Sequence, residues 1–348
     1  MTTIELSERE RTVLKYVVHD FIETAVPIGS RYISKRHEDE LGLSAATIRN
    51  VMSDLEYLGY INHPHTSAGR IPTDLGYRLY LDSLMHQEQI SESEKRHIRD
   101  DLQSHNEEDE IFKQSSRLLS KISHQLCVVT SPYLRRGIFE KLELVQVNSN
   151  RLMVIISLQM GLVRTLMMEV NSEIAREKLD ELSRFLNERL SGLSLDQIRE
   201  TFADRIRDAQ GEETGLLRLF IDSVDKLFFP NKSEKLHIAG TGIIVEQPEF
   251  ENPKNFRGVI ELISNEEIII HVLAKGSQNE QVNVTIGQEN GDEKLKDYSI
   301  INGTYTLGTV TGSIGVIGPT RMPYARMIPL VDYVAKTISE MFTTTYKS

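Results

Sequence analysis

Apolar residues at Leu6, Val13, Leu14, Val17, Val18, Phe21 and Ile22 recur at spacings of three and four. That period predicts an amphipathic helix over Ser7 to Thr24, and Ser7 with Glu10 three residues later forms a capping-box signature at its start. Pro27 and Gly29 break the pattern, and Ser30 is placed to cap a short second helix carrying Arg31, Tyr32, Ile33, Lys35 and Arg36. Gly42 then makes a turn. Ser44 caps a third helix whose buried stripe is Ile48, Val51, Met52, Leu55 and Leu58, ended by Gly59. The opposite face, Ala45, Ala46, Thr47, Arg49, Asn50 and Ser53, is short, polar and uncrowded, as a helix entering a major groove requires. Tyr60 to Thr73 reads as two extended arms around a Thr66-Ser67-Ala68-Gly69 turn, with Arg70 past the tip. A helix followed by such a hairpin is the pattern of a winged helix-turn-helix. Thr73 caps a further helix through Leu75, Leu79, Tyr80, Leu81 and Leu84.

Beyond a charged stretch, Glu110 to Leu126 again shows helical spacing. From Leu142 the period becomes two: ELVQVN, RLMVIISL and VRTLMMEV predict three strands, turned at Asn148-Ser149-Asn150 and at Gly161. Helices are expected over Ile174–Leu190, Leu195–Ile206 and Leu216–Phe229, the last apolar on more than one face. A helix around Phe256–Ile263, a strand at IIIHVLA (268–274), strands in VNVTIGQEN, YSIINGTYTLGTV and GSIGVIGP, and a helix from Pro323 to Phe342 complete the reading. Strands on both sides of a helical block imply an α+β protein whose sheet is interrupted by an insertion.

A chain of 348 residues has room for two or three domains. No apolar run approaches the roughly 18 residues of a membrane span, and no signal peptide is recognisable. The single cysteine, Cys127, excludes an intrachain disulfide, fits a reducing cytoplasm, and sits in an apolar run that suits a core residue better than a nucleophile. The net charge of −11 argues at first against nucleic acid. Its distribution changes that picture. Residues 88–110 carry nine acids against three bases, whereas residues 28–80 carry six of each. Any DNA-facing surface must therefore be assembled by local placement.

Enzyme chemistry finds little support. There is no nucleophile elbow, P-loop or dinucleotide fingerprint, and Gly312, Gly315 and Gly318 are spaced as strand and turn residues. His63-Pro64-His65 lacks a third ligand nearby, so neither metal nor cofactor is expected. Glu289, Arg321 and Arg326 could form a buried charge network.

The run SAATIRNVMSDLEYLGYINHPHTSAGRIPT, followed by Asp74, Gly76-Tyr77-Arg78 and Tyr80, resembles the HrcA family of bacterial heat-shock repressors; IGQEN and GVIGPTRMPYAR extend the likeness. The resemblance implies a winged helix-turn-helix at 1–87, and the acidic stretch at 88–110, patterned for helix but strongly solvated, reads as a linker to the body. The resemblance further implies a GAF-like α/β sheet domain at 111–170 and 236–348, and a mainly helical inserted dimerising domain at 171–235. It implies a homodimer on an inverted-repeat operator in double-stranded DNA, release by heat, and dependence on chaperonin. Thr47, Arg49 and Asn50 are the expected base readers, with Ala46 small for close approach and Ser44 and Ser53 on the same helix. Arg31 and Lys35 are expected on phosphate, and His65, Thr66, Ser67 and Arg70 on the wing. The alternative is a repressor that uses the sheet domain as a small-molecule sensor.

Overall fold

The computed structural model describes residues 6–64, 69–105, 107–132, 137–159, 163–170, 173–206, 220, 236–244, 246–250, 253–276, 282–308 and 310–345. The chain is α+β and divides into two compact units. One comprises Met1–Val129, His237–Thr304 and Ser313–Ala335; the other comprises Thr130–Leu236, Tyr305–Gly312 and Lys336–Ser348.

The first unit begins with α1 (Glu8–Thr24), whose capping box is formed: the Glu10 amide donates to Ser7 Oγ and the Ser7 amide donates to Glu10. It buries Val13, Leu14, Val17 and Val18, the stripe the sequence period marks. Helix α2 (Ser30–Arg36) starts one residue earlier than expected, with Gly29 rather than Ser30 at the cap position. A single turn, α3 (Glu38–Leu41), ends at Gly42 with φ +56°, and α4 (Ala45–Tyr57) follows. Strands β1 (Ile61–Asn62) and β2 (Ile71–Pro72) pair antiparallel behind it. Helix α5 (Asp74–Leu79), capped by Thr73, continues into a π-helical turn over Tyr80–Leu84.

Gly76 shows why this entry to α5 admits no side chain: a Cβ there would lie 2.2 Å from the Tyr60 carbonyl oxygen. Gly76→Ala must displace backbone, and overpacking of this kind costs about 1–3 kcal/mol. A chemical-denaturation midpoint unchanged in that variant would contradict the close approach.

The acidic segment is helical, as patterned, but is not a free linker. Helix α6 (Glu92–Gln103) buries Ile98 and Leu102, one helical turn apart, which suffices to seat it despite its charge. It is also tied to the C-terminal helix: Arg99 donates to Tyr333 at 3.2 Å, and Arg326 pairs with Glu94 at 3.1 Å. Helix α7 (Glu108–Ser123) ends at His124 in the left-handed conformation. Leu126–Thr130 then forms β3, a strand the helical reading of Glu110–Leu126 had run into and not separated. All five of its residues are buried, so the polar/apolar alternation that betrays a strand is absent.

Strand β3 belongs to a five-stranded sheet of order β7-β3-β10-β9-β8, with β7 Leu236–Ala239, β8 Asn283–Ile286, β9 Tyr298–Leu307 and β10 Val310–Pro319. Pairing of β10 with β3 is antiparallel, Ile314 opposite Val129 and Val316 opposite Cys127. Burial pushes the Cys127 thiol up to about 12, so it stays protonated as a core residue. After α8 (Arg176–Leu190) and α9 (Leu195–Arg205) of the second unit, the helices among the described residues are α10 (Thr241–Ile244), α11 (Pro253–Ser264), α12 (Glu266–Gly276) and α13 (Tyr324–Thr345).

The strand expected at IIIHVLA is α12. Its β-branched residues suggest a strand, yet Ile269, Val272 and Leu273 are buried at spacings of three and four and win as a helical core face. Asn302 Nδ2 donates to the Leu273 carbonyl at 2.7 Å near its C-terminal end.

In the second unit, β4 (Phe139–Asn148), β5 (Arg151–Leu158) and β6 (Val163–Glu169) make a sheet of their own, order β4-β5-β6. One interrupted sheet was expected; among the described residues the strands beyond the β1-β2 hairpin form two separate sheets. Helices α8 (Arg176–Leu190) and α9 (Leu195–Arg205) follow. Leu179, Leu182, Leu186 and Leu190 of α8 are buried, as are Leu142, Leu144, Leu152, Val154 and Ile156 of the sheet. The Asn187 amide bonds both backbone groups of Leu142, at 2.6 and 2.9 Å, acting as a side-chain substitute for a neighbouring strand. The apolar helix expected at Leu216–Phe229 lies outside the described residues, apart from Phe220, which is helical and buried.

Candidate nucleic-acid interface

The N-terminus of α4 is built by Ser44, whose Oγ accepts the Thr47 amide at 3.2 Å and lies 3.0 Å from the Thr47 hydroxyl. Both hydroxyls are thereby engaged in the cap. The helix buries Ile48, Val51, Met52 and Leu55, and this fixes the direction of everything else. At about 100° per residue, Ala46, Arg49, Asn50, Ser53 and Tyr57 fall within an arc of roughly 100° on the opposite side. All five are exposed. The Arg49 and Asn50 side chains make no hydrogen bond or ion pair among the described residues, whereas Ser53 Oγ donates to the Arg49 carbonyl at 3.1 Å.

Tyr57, 92% exposed, is the member of this arc that the sequence reading missed. Its position seven residues beyond Asn50 carried the signal. Arg31 and Lys35 are exposed one turn apart on α2, which packs on α4, and neither is ion-paired among the described residues. Arg36, grouped with them in the sequence, instead pairs with Glu23 and, at 3.6 Å, with buried Asp20.

The expected wing residues divide differently. His65, Thr66 and Ser67 lie outside the described residues. Arg70 is turned onto α4, with Nη2 2.8 Å from Glu56 Oε2, and His63 Nδ1 bonds the other oxygen of the same carboxylate. Arg70 is therefore not held out toward solvent.

The other motifs of the resemblance meet away from this arc. Arg78 Nε donates to Glu289 Oε1 at 2.8 Å, and its Nη2 reaches both Glu289 Oε2 and, at 2.7 Å, the Val284 carbonyl. Burial opposes ionisation of Glu289, but the Arg78 bonds and the Ile286 amide outweigh it and hold the carboxyl below its usual range. Asp74 accepts the Gln288 amide at 3.0 Å, and Arg321 donates to the Ile22 carbonyl at 2.7 Å while pairing with Glu249. The single charge network expected of Glu289, Arg321 and Arg326 is thus three separate pairs, Glu289 with Arg78, Arg321 with Glu249 and Arg326 with Glu94.

Other chemistry is weakly provided for. A cavity of about 410 Å³ is lined by Asn265, Ile268, His271, Val272, Asn290, Gly291 and Asp292. The Asn290 side chain is already saturated by Thr285, Gly287, Leu295 and Tyr298. Among the described residues His19, Asp20 and Glu23 cluster as metal ligands would, but Asp20 is held by His37 at 3.0 Å and by Arg36. No helix among the described residues is long and apolar enough to cross a membrane.

Comparison with known proteins decides the lineage. Residues 109–328 match the family described as HrcA protein C terminal domain. The full length is 40% identical to the heat-inducible transcription repressor HrcA of Prosthecochloris aestuarii, covering 99% of both chains. The chain belongs to the HrcA family. The HrcA of Chlorobaculum tepidum is 42% identical over 97% of each chain. These HrcA relatives are named as transcription repressors, a non-enzymatic role. A crystal structure of a hypothetical protein shares the fold at 24% identity and a TM-score of 0.59, covering 98% of this chain and 100% of that one.

Proposed function

We propose that this chain is a heat-inducible repressor of chaperone genes, reading an inverted-repeat operator as a homodimer and depending on chaperonin for activity. One observation carries the DNA-reading part: α4 presents Ala46, Arg49, Asn50, Ser53 and Tyr57 on one exposed arc, with the Arg49 and Asn50 side chains unengaged among the described residues. In a winged helix-turn-helix at 1–87, arginine offers a bidentate contact to guanine and asparagine one to adenine. Ala46 leaves room for the groove wall, and Arg31 and Lys35 supply phosphate contacts beside it. Thr47, with its hydroxyl beside Ser44, reads a base only if the cap is kept intact. The remainder is a GAF-like body with an inserted dimerising domain, which on this reading begins near Thr130 with the three-stranded sheet rather than at 171.

A footprint on a chaperone promoter, repeated over a salt series, tests the function: specific binding should weaken steeply as phosphate-bound counterions are released. Protection absent at low salt would end the proposal. Arg49→Ala should leave the fold intact and lower operator affinity roughly 5- to 150-fold, the worth of one good bidentate contact. Undiminished affinity in a folded variant would remove Arg49 from the interface. A ligand-sensing repressor is the second reading, favoured only by the cavity beside Asn265 and His271. A rise in melting temperature on metabolite addition would support it.

A further inference from the structure

Glu56 sits on α4 two turns beyond Arg49, at the edge of the exposed arc. Its carboxylate is bonded from both arms of the hairpin: His63 follows β1 and Arg70 precedes β2. The three side chains are 25%, 33% and 17% exposed for Glu56, His63 and Arg70, so the cluster is half-buried. The hairpin it holds is short, with two paired positions, Ile61 with Pro72 and Asn62 with Ile71. A two-stranded ribbon of that size is marginal by itself in water. Beyond the strands, Arg70 is fastened by its backbone, which exchanges two hydrogen bonds of 2.8 Å with Ile28. His63, on the opposite arm, reaches Glu56 and so closes the other side.

The charge at this place also calls for an account. An unpaired carboxylate on the flank of a DNA-reading helix would repel the phosphates on either side of the groove. Pairing with the Arg70 guanidinium offsets that repulsion, and Arg70 and His63 together pin the hairpin to the helix.

We propose that Glu56 is a positioning residue for DNA binding: it clamps both hairpin arms to α4 and thereby sets where the wing meets the DNA backbone. Arg70 serves this clamp instead of touching phosphate. The inference rests on the DNA-reading function proposed above.

A double-mutant cycle on the full-length chain tests it, using Glu56→Gln, Arg70→Gln and the pair, with operator affinity measured across a salt series. Each single variant should weaken operator binding about tenfold, and the pair should be no weaker than the worse single variant, because the two changes break one unit. The slope of log affinity against log salt should stay at the wild-type value in the pair, where neither the carboxylate nor its cation remains and no phosphate contact is lost. Hydroxyl-radical protection outside the half-site core should fade while protection within it persists. Additive losses with a slope reduced by about one in the pair would place Arg70 on phosphate and overturn the clamp. Wild-type affinity in Glu56→Gln would overturn it equally. If Glu56→Gln lowers the melting temperature, Arg70→Lys decides: it keeps the charge and loses the fork, so it should still weaken binding at an unchanged slope. Wild-type affinity in folded Arg70→Lys would overturn the clamp. A wild-type chain with no salt-dependent preference for promoter DNA would instead overturn the DNA-reading function itself.

Discussion

An operator stripped of one of its two half-sites is expected to bind this repressor about 10²- to 10⁴-fold more weakly than the intact inverted repeat. The expectation follows from how little one exposed arc can read. Ala46 to Tyr57 spans a few base pairs, and a two-fold dimer that reads a palindrome turns the second contact into an intramolecular event. Competition binding on intact and half operators, with sedimentation of the free protein, measures this directly. A monomeric chain that holds the half operator as tightly as the whole would sink the dimer. Excising 171–229 would be a poorer test. That cut removes α8, whose leucines are buried together with Leu142, Val154 and Ile156 in one unit, and so exposes the apolar face of the three-stranded sheet. Loss of binding would then report misfolding.

Purified repressor that has been warmed and cooled is expected to regain operator binding only partly, and added chaperonin to raise the active fraction several-fold without binding DNA itself. Domains are stable by roughly 5–15 kcal/mol, so a loss of about 1.4 kcal/mol on warming raises the non-native population tenfold. Non-native chains expose core such as Ile48, Leu55 and Val316, which aggregates unless a chaperone captures it. A charged, poorly packed linker at 88–110, as the sequence suggests, would leave each domain to stand on its own margin. The structure points elsewhere. Residues 74–78 are joined to the sheet through Arg78, Glu289 and the Val284 carbonyl, so loss of either part loosens the other. Arg78→Ala should therefore lower the temperature at which operator binding is lost by about 1–4 °C, a partly exposed pair being worth on the order of 0.5–1 kcal/mol. Full spontaneous recovery on cooling, indifferent to chaperonin, would make a ligand sensor the leading account.

Much of this molecule is legible in the chain because local structure is written with local period. Helices α1 and α4 announce themselves by apolar residues three and four apart and by Ser7 and Ser44 at their starts, and β4 to β6 announce themselves by alternation. The exposed arc of α4 follows from the same arithmetic, since burying Ile48, Met52 and Leu55 leaves Arg49 and Asn50 outside. The family resemblance, carried by a run of contiguous residues, needed no coordinates either.

Only tertiary structure decided the rest. Strand β3 has no alternation because both its faces are covered, and α12 is a helix because its β-branched residues find a core at helical spacing. The two arginines that read as DNA-facing or unassigned, Arg70 and Arg78, were settled by partners that periodicity cannot name. Arg70 is drawn to Glu56 across a hairpin, and Arg78 to Glu289, 211 residues away. A charge in the sequence fixes only what a side chain can bond. Which opposite charge it meets depends on how distant segments pack, and that is decided when the cores of the helices and the sheet are buried together.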